Sequence, residues 1–276
     1  MEGIHLVYII CIIIGIVTAF VGGLMGLGGG IVMIPSMLFL YQFSEAFSWA
    51  TPQTIVGISL VAMVFTGLSS SIAYFKTGRI DYKTGLYFLS GSIPGSILGS
   101  WLNQFVNVDD FQLYFGFIMI IISMLFFIKR KQKSVDITHT KNVRSFTLNG
   151  ETYNYTVNIY LAFLLAFMVG TMSGLFGIGG GSIMVPAMIL LFGIPAHIAT
   201  ATSMFMIFFV SIIGASTHIV LGHVIWQYAI FFIPGAWIGG KLGAIVNQRL
   251  TGKTLEWILR AILIIIGIRM IAEGLM

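Results

Sequence analysis

The sequence predicts an all-α polytopic membrane protein made of two related halves. Three observations predict it: scarce charge, long charge-free stretches and a duplicated glycine motif. Of the 276 residues, 58% are hydrophobic and only 8% are charged, whereas a soluble domain carries about 25% charged residues. A helix needs about 20 apolar residues to cross a bilayer core. Asp, Glu, Lys and Arg are absent from stretches long enough for this, namely 3–44, 46–75, 84–108, 111–128 and 152–240.

The glycine motif occurs once in each half. Residues 22–37 read "GGLMGLGGGIVMIPSM", and residues 173–188 read "SGLFGIGGGSIMVPAM". Further matches follow in the same order: Pro52 with Pro195, "GIS" (57–59) with "ATS" (201–203), "YFKTG" (74–78) with "HIVLG" (218–222), and "PGSILG" (94–99) with "PGAWIG" (234–239). Landmarks that recur in one order indicate an internal duplication.

Each half is predicted to hold about five apolar segments. In the first half, residues 1–128, they are 4–24, 31–42, 54–75, 84–103 and 111–128. In the second half, residues 159–276, they are 159–176, 182–193, 198–221, 225–247 and 255–273. The polar, basic stretch 129–158 is predicted to be a cytoplasmic linker. We favour an ordered or floppy tether there, although its Asn-Gly pair is also typical of a tight β-hairpin turn, which would give a short hairpin at "TLNGETY".

The distribution of basic residues predicts opposite orientations for the two halves. Loop 76–83 carries three basic residues, and the loop around Asp109 and Asp110 carries none, so the positive-inside rule assigns the first to the cytoplasmic side. In the second half the matching loops show the reverse, because "LGHVI" has no Lys or Arg and the later loop carries Arg249 and Lys253. Opposite orientation requires an odd number of crossings, which five segments supply if the first two enter and return as a hairpin.

The glycines are predicted to break a helix inside the membrane. At about 1.5 Å per residue, segments 31–42 and 182–193 reach only about 18 Å, less than a bilayer core of about 30 Å. Each half would therefore open with a Gly/Pro-broken helical hairpin. The structural or hinge positions of these two hairpins are Gly26, Pro35, Gly177 and Pro186.

A helix that begins inside the bilayer offers unpaired N–H groups and the positive end of its dipole. Such an end binds anions without a charged side chain. The candidate substrate-binding positions at the two ends are Gly28, Gly29, Gly30, Ile31, Gly179, Gly180, Gly181 and Ser182. The alternative is that these glycines are helix-packing faces, which is also our interpretation of the "PGSILG" and "PGAWIG" stretches. The duplicated break favours a ligand-lining role for the glycine triplets.

Four polar side chains complete the candidate substrate site. Ser59, Thr202 and Ser203 stand early in the third segment of each half. Their hydroxyl groups can donate to an anion or bond back to their own helix. His218, matched by Tyr74, lies well inside a charge-free span. It either carries a proton or is a packing histidine.

The sequence offers little support for other kinds of chemistry. No His/Cys/Asp cluster with metal-ligand spacing occurs, and no Gly-Lys-Ser/Thr follows the glycines as a nucleotide-binding loop requires. No nucleophile, base and orienting group can be assembled into an enzyme site. We therefore expect no metal, no cofactor, no enzymatic activity and no nucleic-acid partner. The expected partners are a small anion and the lipid bilayer, and a homo-oligomer is not indicated.

The two glycine motifs, their prolines and the "GIS"/"ATS" pair resemble the TauE/SafE family of bacterial membrane permeases, often called sulfite exporters. The resemblance covers both halves and leaves out 129–158. It implies export of small sulfur-containing anions such as sulfite or organosulfonates across a prokaryotic cytoplasmic membrane. The first half departs from the family's small-Thr-Ser pattern, because Ile58 stands where Thr is expected.

The leading hypothesis is a secondary transporter that moves such an anion by alternating access between the two halves. One alternative is a passive anion channel that uses the same helix ends. Another is a permease for a different small anion, such as thiosulfate.

Overall fold

The backbone is mainly helical in the part of the chain that can be described. The computed structural model describes residues 2–125, 143–148 and 150–251, with scattered positions between 254 and 272. The helices are α1 (Glu2–Met25), α2 (Gly30–Phe43), α3 (Pro52–Phe75), α4 (Tyr82–Leu102), α5 (Val108–Leu125), α6 (Ile159–Phe176), α7 (Gly181–Ala187), α8 (Ala196–Val220) and α9 (Trp226–Asn247). A π-helical turn, Met188–Phe192, extends α7.

Five of these helices, α1, α3, α6, α8 and α9, are long and apolar enough to cross a membrane. This confirms the prediction of a polytopic membrane protein. Helices α4 and α5 form where segments were predicted but are not among the five. In α4 a row of buried serines, Ser92, Ser96 and Ser100, accounts for part of its lower hydropathy. The tenth predicted segment, 255–273, lies mostly outside the described residues.

The predicted helix breaks are present, and glycine makes both of them. Helix α1 ends before Gly26 (φ +77°), and Gly29 (φ +104°) precedes α2. Helix α6 ends before Gly177 (φ +64°), and Gly180 (φ +68°) precedes α7. These left-handed conformations are cheap only for glycine. Both matched prolines lie inside the helices that follow the breaks, in α2 and α7, so they do not cause them.

Aromatic stacking shows that the first broken hairpin returns to the end where it began. The ring of Tyr8, near the start of α1, lies 6.2 Å from the ring of Tyr228. Trp49, which follows α2, stacks on the same Tyr228 ring at 3.9 Å. In the second hairpin, Phe192 at the far end packs edge-on against Phe88, near the start of α4, at 5.2 Å.

Helices from different halves pack against each other through glycine. Helix α1 lies on α9, α6 lies on α4, and α3 lies on α8. A Cβ atom on Gly95 of α4 would come within 2.2 Å of the Phe167 carbonyl oxygen, and one on Gly235 of α9 within 2.5 Å of the Ile12 carbonyl oxygen. Both distances are far below van der Waals contact. The helix-packing interpretation of "PGSILG" and "PGAWIG" is therefore confirmed.

The β-hairpin that the Asn-Gly pair indicates is present in the second part of the linker. Strands β1 (Val143–Leu148) and β2 (Glu151–Thr156) pair antiparallel with Leu148 opposite Glu151. Tyr155 on β2 is buried, so the hairpin is docked on the helical part of the protein. Residues 129–142 lie outside the described residues, and the boundaries 1–128, 129–158 and 159–276 stay predictions.

Candidate functional site

The two helix breaks touch at the centre of the molecule. A Cβ atom on Gly179 would lie 3.6 Å from the Cα atom of Gly28 and 3.1 Å from the Leu27 carbonyl oxygen. The sulfur of Met63 packs against both breaks, 2.7 Å from a Cβ placed on Gly28 and 2.5 Å from one on Gly179. The flexible thioether fills the junction that the glycines leave open.

The helix start of each half is seated against the break of the other half. A Cβ atom on Gly30 would lie 1.9 Å from the Gly177 carbonyl oxygen. In the matched contact, a Cβ atom on Gly181 would lie 2.0 Å from the Gly26 carbonyl oxygen. Only glycine fits at either position, because the obstacle is backbone and cannot rotate away.

Two matched serines hold these breaks by hydrogen bonds across the halves. The Ser59 hydroxyl donates to the Gly177 carbonyl oxygen at 3.0 Å, and the Ser203 hydroxyl donates to the Gly26 carbonyl oxygen at 2.8 Å. Both carbonyls lie at helix ends, where intrahelical partners are lacking. In this conformation neither serine donates to its own helix.

Two asparagines form a second pair of matched contacts, which the sequence analysis did not identify. Asn103 Nδ2 donates to the Leu175 carbonyl oxygen at 2.7 Å, and Asn247 Nδ2 donates to the Leu24 carbonyl oxygen at 2.6 Å. The signal was present in the sequence, because an Asn-Gln pair closes α4 at 103–104 and α9 at 247–248.

The first N–H groups of α2 and α7 remain available to a ligand. The N–H groups of Ile183 and Met184 both donate to the carbonyl oxygen of Gly180, as those of Val32 and Met33 do to Gly29. The N–H groups two residues earlier have no backbone partner within the described ranges; they belong to Gly30, Ile31, Gly181 and Ser182.

A small cavity of about 10 Å³ adjoins the break of the second half. It is lined by Ser92, Val169, Gly170, Ser173, Gly179, Gly180, Gly181, Met184, Ser203, Met206, Ile207 and Val210. The hydroxyl groups of Ser92 and Ser173 are buried here without a partner among the described residues, and the same holds for Ser182 at the start of α7. None of the described lining residues is charged. The volume suits about one water molecule, so this is a closed pocket with neutral donors.

The positions matched to Ser173 and Ser92 in the opposite halves are apolar. Gly22 stands at the position of Ser173, and Phe232 stands at the position of Ser92. Phe232 is fully buried and packs against the backbone at Gly15. These unpartnered hydroxyls therefore surround the break of the second half, with Ser92 contributed by the first half, although both halves carry the glycine break.

The predicted site residues do not all converge on this cavity. Gly179, Gly180, Gly181 and Ser203 line it. The corresponding first-half glycines, 28–30, lie on the other side of the contact between the breaks, and Ile31 and Ser59 are fully buried. Thr202 and His218 lie elsewhere, each within a polar cluster of its own.

Thr202 connects the centre of the protein to the linker hairpin through Asp81. The Thr202 hydroxyl oxygen accepts the Asp81 N–H at 3.0 Å. The Asp81 carboxylate is 5% exposed and accepts hydrogen bonds from the Thr84 and Tyr155 hydroxyls and from Arg144 Nη2, the last at 3.4 Å. Sequence alone indicates Asp81 only as a helix cap, since its other partners lie more than 60 residues away.

Burial, followed by the hydrogen bond to Asp81, raises the pKa of Tyr155 above its usual value. The phenol is therefore a protonated donor throughout the neutral range, and the carboxylate of Asp81 accepts from it. The hairpin is held by a buried hydrogen bond and by an ion pair in which Arg144 is 21% exposed.

His218 forms a pair with His223 at the opposite end of α8. His218 Nε2 lies 3.1 Å from the Gly174 carbonyl oxygen, and its Nδ1 lies 2.9 Å from Nδ1 of His223. A carbonyl oxygen only accepts, so we assign the hydrogen of His218 to Nε2, and His223 donates through its own Nδ1. Burial lowers the pKa of His223. Tyr74 makes the matched contact, donating to the Gly23 carbonyl oxygen at 2.8 Å.

Comparison with known proteins agrees with this architecture. The family model described as "Sulfite exporter TauE/SafE" matches residues 11–270. The "Probable membrane transporter protein YunE" of Bacillus subtilis (strain 168) is 45% identical over 269 residues, covering 97% of this chain and 98% of the relative. A "Probable membrane transporter protein" of Xylella fastidiosa (strain Temecula1) is 25% identical over 239 residues, covering 87% and 84%. No solved structure shows a significant match. The chain therefore belongs to the TauE/SafE sulfite exporter family of membrane transporters.

Proposed function

We propose that the protein exports a small sulfur-containing anion, such as sulfite or an organosulfonate, across a prokaryotic cytoplasmic membrane. The observation that carries the proposal is the cavity at the start of α7, where unpartnered serine hydroxyls meet free backbone N–H groups. Donors without acceptors in an uncharged, buried pocket are matched by an oxyanion, which has acceptors only. The cavity has room for about one water molecule in this conformation, so the anion would bind when the two halves have moved apart.

The energetics favour binding that is specific but reversible. An unsatisfied buried polar group costs about 1–3 kcal/mol, and an anion that accepts from several such groups recovers that cost. The positive end of the α7 dipole adds roughly 0.3–1 kcal/mol. Since no described lining residue supplies a full positive charge, the anion is not trapped and can leave on the other side.

The matched contacts between the halves support alternating access. The hydrogen bond from Ser59 to Gly177 has a counterpart in the bond from Ser203 to Gly26. Each half therefore uses the same position to contact the same position of the other half. Such reciprocity is typical of two-fold related units. Rocking of one half against the other would open the closed cavity towards one side and then the other.

The ends of the helices support opposite orientations of the halves. Arg79 Nη2 in the basic loop after α3 donates to the Gln248 carbonyl oxygen at 3.4 Å, and Gln248 Nε2 donates to the Ala73 carbonyl oxygen at 3.4 Å. The basic loop 76–83 and the end of α9 with Arg249 therefore share one end of the molecule. The positive-inside rule assigns that end to the cytoplasm.

The decisive test is flux in proteoliposomes that contain the purified protein. We expect uptake of labelled sulfite that is accelerated by unlabelled sulfite on the opposite side, with sulfate, thiosulfate, sulfoacetate and taurine as competitors. Protein-free liposomes are the control. Electrical current without counterflow would identify a channel instead, and the absence of flux for all five anions would contradict the proposal.

A further inference from the structure

A second and much larger cleft, of about 280 Å³, lies between the ends of α3 and α9. It is lined by Ser69, Ile72, Ala73, Lys76, Thr77, Trp237, Lys241, Ile245 and Gln248. None of these residues lines the cavity at the glycine break. Its volume is close to the roughly 300 Å³ at which ligand pockets begin, so it has room for a polar headgroup.

Two positive charges face this cleft. Lys76 closes α3 and Lys241 lies in the last part of α9. Within the described ranges neither ammonium group has a hydrogen-bond or salt-bridge partner, and none of the described lining residues is acidic. Two unpaired cations in one cleft repel each other unless an anion lies between them.

The walls of the cleft are apolar and open towards lipid. Ile72, Trp237 and Ile245 are 43%, 40% and 36% exposed on helices long enough to cross a membrane. Tryptophan favours the membrane–water interface, and lysine stems lie along apolar surface while the ammonium group reaches the headgroup level. The cleft therefore combines a polar mouth with sides suited to acyl chains.

The charges are confined to one end of the molecule. Val220 stands at the position matched to Lys76. The stretch of α4 matched to the second half of α9, residues 94–103, contains no charged residue. The lysine pair thus lies only at the end that carries the basic loops, and the cytoplasmic leaflet is the one enriched in anionic lipid.

We propose that this cleft binds the phosphate headgroup of an anionic phospholipid from the cytoplasmic leaflet. The ammonium groups of Lys76 and Lys241 contact the phosphate, and the glycerol and acyl chains run along Ile72, Trp237 and Ile245. A free phosphate ion or the transported anion has the same negative charge as the lipid phosphate, but it would leave the apolar walls of the cleft uncovered. The bound lipid bridges α3 and α9, one helix from each half.

The test is native mass spectrometry of the purified full-length protein with phosphatidylglycerol or phosphatidylcholine added to the detergent. We expect retained phosphatidylglycerol and little phosphatidylcholine. A lysine near an anionic headgroup contributes about a fivefold preference, so Lys76→Gln combined with Lys241→Gln weakens phosphatidylglycerol binding roughly 25-fold. The doubly substituted Lys→Arg protein retains binding.

Lys83→Gln is the matched control, because it removes one exposed charge from the same basic loop but outside the cleft. It leaves lipid retention unchanged. Equal retention of both lipids, or retention unaffected by the double Gln variant, would overturn the proposal. Inorganic phosphate or sulfite that displaces phosphatidylglycerol at millimolar concentration, with the same lysine dependence, would reassign the cleft to a free anion and also overturn it.

Discussion

Ser203 of the second half donates its hydroxyl hydrogen to the Gly26 carbonyl oxygen of the first half at 2.8 Å. Ser59 makes the matched bond to Gly177. Each half thus stabilises the broken helix of the other, because the carbonyl oxygen at each break accepts its side-chain hydrogen bond from the opposite half.

Replacing Ser203 by Ala should destabilise the protein. The Gly26 carbonyl would lose its side-chain donor in a buried site, at a cost of about 1–3 kcal/mol. We expect a lower melting temperature of the purified protein in detergent. Ser36→Ala is the control, since its hydroxyl bonds to Val32 within its own helix. An equal effect of both substitutions would show that the cross-half bond has no special role.

Gly180→Val should abolish transport while folded protein remains in the membrane. The added side chain would meet Val169 at the cavity, with the nearest atom 3.0 Å from the new Cβ. Sulfite counterflow in proteoliposomes measures the loss. Gly222→Val is the control, because Gly222 has a similar φ of +77° but open space around it, so it isolates backbone strain. Retained transport by Gly180→Val would place the pathway elsewhere.

Ser173→Ala should weaken substrate binding without weakening the fold. Its hydroxyl is buried in the cavity without a partner among the described residues, so its removal relieves a desolvation cost and also deletes a donor to the anion. We expect a raised KM with an unchanged or higher melting temperature.

Ser96→Ala is the comparison for this variant, since that hydroxyl already donates to the Val210 carbonyl oxygen. It should lower the melting temperature and leave KM unchanged. A lower melting temperature for Ser173→Ala would mean that the hydroxyl has a structural partner after all.

The docked hairpin should be insensitive to pH between neutrality and about 10 and loosen above that. The pKa of Tyr155 is raised in the folded state, so its stabilising contribution is complete below the ordinary tyrosine pKa of about 10. This contribution is lost as the pH rises further, because the folded state binds the Tyr155 proton more tightly than the unfolded state, and alkaline solution removes that proton. Hydrogen exchange of the peptide 143–156, corrected for intrinsic rates, reports the change.

Tyr155→Phe should show faster exchange at neutral pH and no further alkaline transition of this kind. Tyr153→Phe is the control, because that hydroxyl bonds to Glu151 within the hairpin itself. If both variants exchange alike, the bond to Asp81 does not hold the hairpin.

His218→Gln should remove the pH dependence of transport in the acidic range. Gln retains a donor for the Gly174 carbonyl oxygen but, unlike histidine, could not accept a proton from His223 across the 2.9 Å contact between the rings. Flux measured between pH 5 and 8 tests this, with the exposed His5→Gln as control. An unchanged pH profile would exclude the histidine pair from coupling.

The helix breaks could be predicted from the sequence because a left-handed φ value requires glycine at that position, whatever the rest of the fold, and the glycines form a recognisable motif. Gly26 and Gly177 are examples, and their recurrence identified the duplicated frame. The partners of Ser59 and Ser203 could not be predicted, because each lies in the other half and depends on how the halves dock. The sequence predicted that these serines donate to an anion or to their own helix. In this conformation they donate instead to a carbonyl oxygen of the opposite half.

Asp81 illustrates a different limit. It stands in the basic loop 76–83 of the sequence, and only the tertiary structure brings Arg144 and Tyr155 to its carboxylate. The closed cavity was equally hidden, since Ser92 and Ser173 become neighbours only when α4 packs on α6. The sequence shows which polar side chains are present, but it does not show which of them lie close together in the fold.

The docked hairpin adds a non-covalent link to the covalent connection between the halves. Because Arg144 and Tyr155 fasten the polypeptide ahead of α6 to Asp81, the second half carries its own recognition element for the first. Two gene fragments divided upstream of Val143 would encode pieces able to find and fasten to each other inside a cell.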